Sequence, residues 1–263
     1  MTQPLDGPRA ASELYLARGD EVSPCRPIMT GDVFAGVAIP GVEEWAGDGE
    51  KLAMVVSHPC SMRQGPFLKP RLGVVRVVEH KPIALSEWPK RHIHLLPLPD
   101  LTAASADEDE GDIVAVQTHH AAIFELRGRV EVQDLDPDKR LACLSEEGVA
   151  YLHQRMGHSD TRYSASKKEL MTACASVFAE MELWEEWNDA LMDPAALAEP
   201  DHRAAELERL AIEFDQELSL PRQYGKARSS LRDDLGDPTK RPGARRQIAA
   251  LRKARRQDQS KAG

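Results

Sequence analysis

From His58 to Arg63 the chain reads His-Pro-Cys-Ser-Met-Arg, which sets a histidine, a cysteine and an arginine within one turn's reach of each other. Histidine titrates near neutrality and can take or give a proton. Arginine grips phosphate through paired N–H groups. Lys51 precedes this cluster, and Arg76 and His80 follow it at the end of the next apolar run. Together they offer what phosphodiester cleavage without a metal requires: proton-transfer groups and cations for the charge that develops on phosphorus. His58 is expected to move the proton, Lys51 and Arg63 to hold the phosphate, and Arg76 and His80 to bind substrate. The plainer alternative is that His58-Pro59 makes a turn and His80 ends a strand in solvent.

Two other chemistries use the same residues. Cys60 could act as a nucleophile, its thiolate formed by His58 or His80; residues two apart in an extended segment point the same way, but no third group to orient them is evident. A zinc site could recruit His58, Cys60, His92, His94, His119 and His120, with His92-x-His94 on one strand face. The four cysteines (Cys25, Cys60, Cys143 and Cys174) contain no C-x-x-C pair, so free thiols, no metal and no cofactor are expected. Trp184 and Trp187 could stack on bases, but three residues apart on an apolar stripe they read as core.

The elements that must position these groups are short, valine-rich runs bounded by Gly, Pro and charge, at about 31–39, 51–57, 72–80, 92–97, 112–118, 121–127 and 129–134. Regular spacing and polar turns predict a barrel or strongly coiled sheet. The acidic stretch 102–111 reads as a solvated loop. At Ser145 the pattern changes to helix, with Ser145 as cap and Val149, Leu152 and Met156 on one face. A helix over 166–192 opens with a Ser166-x-x-Glu169 capping box, and a third is predicted over about 201–218. Beyond it, only a short helix over 244–257 is expected in a basic, partly disordered tail. The predicted organisation is an extended leader (1–28), a β-barrel domain (29–158), a helical region (159–220) and the tail (221–263).

The net charge of −9 hides a split: from Ser219 onward there are 13 Lys and Arg against 4 Asp and Glu. Such a segment suits RNA or DNA, or an acidic surface of its own chain or of a partner protein. Arg245, Arg246, Arg252, Lys253, Arg255 and Arg256 are the candidate nucleic-acid contacts. Opposite charges also allow self-association into a homo-oligomer. No run is long and apolar enough to span a bilayer, so no membrane partner is expected. Met1 to Arg9 carries Pro4 and Pro8 with no apolar core behind, unlike a targeting segment, which makes the cytoplasm the expected location.

With the strands placed, the chain resembles the MazF/PemK family of SH3-like barrels, which includes endoribonuclease toxins. The matching residues are Gly31-Asp32-Val33-Phe34, the run Lys51 to Ser57, and Arg140-Leu141-Ala142-Cys143-Leu144-Ser145-Glu146-Glu147. The resemblance covers about 31–156. It implies an SH3-like barrel, an α+β chain overall, and a role in a toxin–antitoxin or defence-type system, with an antitoxin-like partner or RNA as the molecule bound. The departures fall on the chemistry. Family members that cleave RNA usually begin the second strand with Arg-Pro, where this chain has Lys51-Leu52. They place Thr or Ser after the third strand, where this chain has Val78-Glu79-His80. Either the site has been rebuilt for RNA cleavage, or the chain is a non-catalytic assembly protein that binds partners through the barrel and the Trp-bearing helix.

Overall fold

The valine-rich runs form strands buried on both faces, Leu52–Val55 along its whole length and Val74–Val77 in the middle of the longer strand, and every strand of the main sheet pairs antiparallel. The computed structural model describes residues 5–42, 51–64, 67–90, 92–101, 119–224 and 227–262. The expected acidic loop 102–111 and strand 112–118 lie outside them. The fold is mixed α+β, with a curled seven-stranded sheet and, among the described residues, six helices. The chain divides into two units: Met1–Pro24, Ile28–Met62 and Leu68–Ala173 form the first, and Cys25–Pro27, Arg63–Phe67 and Cys174–Gly263 the second.

In the first unit, β1 (Tyr15–Arg18), β2 (Val33–Phe34), β3 (Leu52–Val55), β6 (Arg71–Glu79), β7 (Leu95–Leu98), β8 (His120–Glu131) and β9 (Arg140–Leu144) make the sheet, in the order β1-β9-β2-β3-β6-β8-β7. A short ribbon of β4 (Arg63–Gln64) and β5 (Phe67–Leu68) interrupts the sequence between β3 and β6. The expected leader is therefore not a leader throughout, because Leu14 and Tyr15 bury and β1 pairs with β9, Tyr15 opposite Leu144. The two edge strands are tied by side chains: Tyr15 Oη donates to the Pro99 carbonyl at 2.9 Å, and Arg18 Nη1 to that of Asp100 at 2.7 Å. The separate strands expected at 121–127 and 129–134 are one strand, β8. Its register against β6 jumps from Arg127 opposite Val75 to Ile123 opposite Arg76, a bulge over 124–126, while Gly128 stays in register opposite Val74.

The residues that carry the family resemblance sit in this scaffold. Gly31 has φ +89°, and a Cβ there would come within 2.7 Å of the Leu144 side chain. Asp32 Oδ2 accepts from the Met29 amide at 2.9 Å and pairs with Arg140 Nη1 at 3.0 Å, both side chains 1% exposed. Ser145 Oγ accepts from the Gly148 amide at 3.0 Å and so caps α1 (Glu146–Thr161), as predicted.

From Cys174 onward α2 (Lys167–Leu191) belongs to the second unit and supplies Trp184 and Trp187, which pack against Phe214 of α4 (Pro200–Ser219) at 6.2 and 5.6 Å. The helix starts at the predicted box: Ser166 N donates to Glu169 Oε2 at 2.9 Å, and Glu169 N to Ser166 Oγ at 3.3 Å. The short α3 (Pro194–Leu197) joins the two. The region read as a partly disordered tail is folded instead. It holds a hairpin of β10 (Arg222–Tyr224) and β11 (Ala227–Ser229), then α5 (Leu231–Gly236) and α6 (Arg241–Ala262). Leu231 and Leu235 bury, and Arg232 pairs with Glu180 and Asp215 at 2.9 and 2.8 Å, which gives this segment the anchors that its composition conceals.

Candidate functional site

β3 delivers the chain into a tight turn at Pro59–Ser61, and His58 organises it. The His58 carbonyl accepts from Ser61 N at 2.8 Å and Ser61 Oγ at 3.0 Å, while its ring Nδ1 accepts from Cys60 N at 3.2 Å. The ring lies 5.0 Å, centroid to centroid, from His153 of α1. Burial pushes His58 below its ordinary value, and burial together with His58 pushes His153 down to about 4. Both imidazoles are therefore neutral at pH 7. Sequence reasoning missed His153, although it falls four residues after Val149 and three before Met156, on the helix face already singled out.

The other expected site residues are dispersed. Lys51 and His80 lie at the opposite end of the β3–β6 pair from His58, because these strands run antiparallel with Leu52 opposite Val77 and Val55 opposite Val74. The length of β3 alone holds Lys51 more than ~10 Å from the His58 turn. His58 and His80 therefore share no rim, since neighbouring antiparallel strands end at opposite edges of a sheet. Arg76 is 2% exposed, and its Nη1 donates to the carbonyls of Val37 at 3.1 Å and Leu52 at 3.3 Å. It braces backbone inside the first unit and does not reach a substrate. Arg63 belongs to the second unit, where its guanidinium lies 4.9 Å over the Trp184 ring.

The thiol reading fares no better, and of the zinc candidates only His58 and Cys60 keep ligand atoms near each other. The His58 nitrogen facing Cys60 is occupied by that residue's backbone amide, so it is not placed to accept the thiol proton. His92 has φ +60° and stands in a turn before β7, its ring 6.2 Å from that of His80. His94 Nδ1 lies 3.0 Å from Ser159 Oγ, and His120 is buried at the start of β8. Among the described residues no three of His80, His92, His94, His119 and His120 converge as ligands. Trp184 and Trp187 are core residues, 7% and 0% exposed, and offer no face to a base.

Among the described residues the first unit also has concave regions. Val42, Val78, Ile123 and Leu126, with Glu125 and Arg127 at the margin, line a cleft of about 660 Å³ on β6 and β8. A smaller polar hollow of about 320 Å³ holds Asp6, Arg9, Glu13, Glu147, Tyr151 and Lys167. There Lys167 Nζ donates to Glu147 Oε2 at 3.0 Å and lies 3.1 Å from Tyr151 Oη, and Asp6 Oδ2 accepts from Gln154 Nε2 at 2.9 Å, contacts that pin the N-terminal segment to α1.

The six candidate nucleic-acid contacts all lie on α6. Arg245, Arg252 and Arg255 form ion pairs with Glu182, Glu186 and Glu217. Arg246, Lys253 and Arg256 are exposed. Among the described residues no helix is long and apolar enough to cross a membrane. No protein-family model matches the chain, and neither a curated protein nor a solved structure matches it.

Proposed function

We propose that this chain is a non-catalytic binding protein of a toxin–antitoxin or defence-type system, built on an SH3-like barrel of MazF/PemK type that keeps the family's scaffold without its cleavage chemistry. The observation that carries this reading is the dispersal of the cleavage set. His58 and Lys51 stand at opposite ends of β3, and Arg76 is buried against carbonyls. General acid–base catalysis needs its groups within hydrogen-bond reach of one phosphate, which this arrangement does not offer. The scaffold residues of the resemblance support the same view, since Gly31, Asp32, Arg140 and Ser145 are all spent on packing, pairing or capping.

The partner is a protein, and the cleft on β6 and β8 is its seat. Its apolar floor with a charge of each sign at the margin suits a short apolar segment flanked by polar side chains. Tagged full-length protein, expressed in its native cells, is expected to co-purify with one protein partner. Val78→Glu and Ile123→Glu should each lose that partner at unchanged far-UV circular dichroism, while His58→Ala and Lys51→Ala keep it. Retention by the cleft variants and loss by His58→Ala would overturn the proposal.

A further inference from the structure

β8 is longer than the strand that covers its outer side. It runs for 12 residues, His120–Glu131, and β7 pairs only with its first part, His120 to Ile123. The last backbone bond across that side is from Phe124 N to the His94 carbonyl, at 3.0 Å. Which backbone groups face outward beyond it follows from the neighbouring strands. Gly73 of β6 turns its backbone toward the β3 side: its carbonyl accepts from Val56 N at 2.9 Å and its amide donates to Ser57 Oγ at 2.7 Å. Arg129 stands opposite Gly73, so its own N–H and C=O point away from β6. Direction alternates along a strand, so Arg127 and Glu131 face outward with it, while Gly128 and Val130 bond to β6. Among the described residues no backbone partner meets Arg127, Arg129 or Glu131 on the outer side.

The side chains divide in the same way. Ile123 and Gly128 stand opposite Arg76 and Val74, which are two residues apart on β6, so both lie on one face of the sheet. Ile39 overlies that face, since a Cβ on Gly128 would come within 2.5 Å of it, and the cleft of Val42, Val78 and Ile123 opens there. Arg127, Arg129 and Glu131 belong to the other face. Arg127 pairs with Asp160 and Glu131 with Arg71. Arg129 is exposed and has no ion pair among the described residues.

We infer that this edge receives an extended segment of the partner protein, which pairs with Arg127, Arg129 and Glu131 as an added strand in the row that β7 leaves. The inference rests on the partner-binding reading above and says how the segment at the cleft is held. In strand addition the main chain supplies affinity and alternate side chains supply specificity. Apolar side chains of the segment lie on the face of Val42 and Ile123, and a carboxylate lies beside Arg129 on the other. Charged residues on an open edge guard it against indiscriminate pairing. Here Arg127 and Glu131 are already neutralised, so Arg129 is the charge that selects an acidic segment.

The test is hydrogen–deuterium exchange, resolved to single amides, on the full chain by itself and on the complex that co-purifies from native cells. In the free chain the amides of Arg127, Arg129 and Glu131 should exchange at least about 10-fold faster than those of Gly128 and Val130, and in the complex they should slow to match them. Arg129→Pro removes an amide that β6 does not use, so the sheet keeps its pairing, while capture of the partner falls at least about 10-fold. Val130→Pro is the folding contrast, since it removes a bond to β6 and should lower the unfolding midpoint where Arg129→Pro does not. Arg129→Ala trims only an exposed charge and should weaken capture less than about 5-fold. Slow exchange of the three outer amides in the free chain, fast exchange of them in the complex, or full capture by Arg129→Pro would overturn the added strand. Where Arg129→Pro unsettles the fold, the exchange comparison on the wild-type chain decides. If the strand fails while Val78→Glu and Ile123→Glu still lose the partner, the cleft reading stands without it; if the wild-type chain captures no partner, both fall.

Discussion

Arg140 and Arg252 each pair with one carboxylate, yet they stand in opposite environments. Arg140 meets Asp32 with both side chains 1% exposed, whereas Arg252 meets Glu186 with the two side chains 27% and 50% exposed. The contrast extends across the two units. In the first, Arg76 and Arg155 are buried against carbonyls, Arg155 Nη2 donating to that of Trp88 at 2.6 Å, and burial lowers Arg155 to about 10. In the second, Arg245, Arg252 and Arg255 staple α6 to earlier helices at the surface. Arg76, Arg140 and Arg155 are structural braces whose loss strands a buried partner, whereas the exposed pairs of Arg245, Arg252 and Arg255 are exchangeable.

The sharpest way to break this comparison is Arg140→Leu. It leaves the Asp32 carboxylate buried without its charge partner and should cost about 3–5 kcal/mol in urea unfolding of the full chain. Pairing it with Asp32→Leu should recover much of that loss. A single-variant cost under about 1 kcal/mol would show that the pair is not buried as described.

The second effect is pH-dependent and belongs to the His153–His58 pair. An unfolded histidine titrates near 6.5, and folded His153 is held down to about 4. Between those values the unfolded state binds the extra proton. Stability is therefore full above about pH 6.5 and falls with pH until about 4, by roughly 3 kcal/mol. His153→Phe should flatten this window in denaturation curves recorded from pH 7 to pH 4. If wild type and variant lose stability in parallel, the histidine is not buried in neutral form.

Much of the scaffold was legible in the residues, and the reasons are local. Ser145 and the Ser166–Glu169 box announce helix starts because a short side chain must satisfy the first free amides. Valine runs announce β3 and β6 because short continuous apolar runs suit strands buried on both faces. Strand direction and pairing were not legible. Nothing near Tyr15 says that it will meet Leu144, and nothing near His58 says that His80 will end on the other side of the sheet. That non-local fact is what dissolves the expected site. The folding of 222–262 was hidden for a related reason, since its anchors, such as Arg232 on Glu180 and Asp215, lie on helices earlier in the chain.

The smallest stability effect should come from the second unit. Arg252→Ala is expected to change the unfolding free energy by less than about 1 kcal/mol, and the difference should vanish near 1 M salt, where exposed charges are screened within about 3 Å. A loss of several kcal/mol would place that pair with the braces of the first unit.

The most direct test of the central claim is mapping RNA ends in cells that express the full-length protein against cells that express His58→Ala. Dispersal of the cleavage set predicts the same RNA ends in both and no growth arrest with either. New cuts made by the wild-type protein and abolished by His58→Ala would contradict it, since a working general acid–base group contributes ~10²–10⁴-fold in rate.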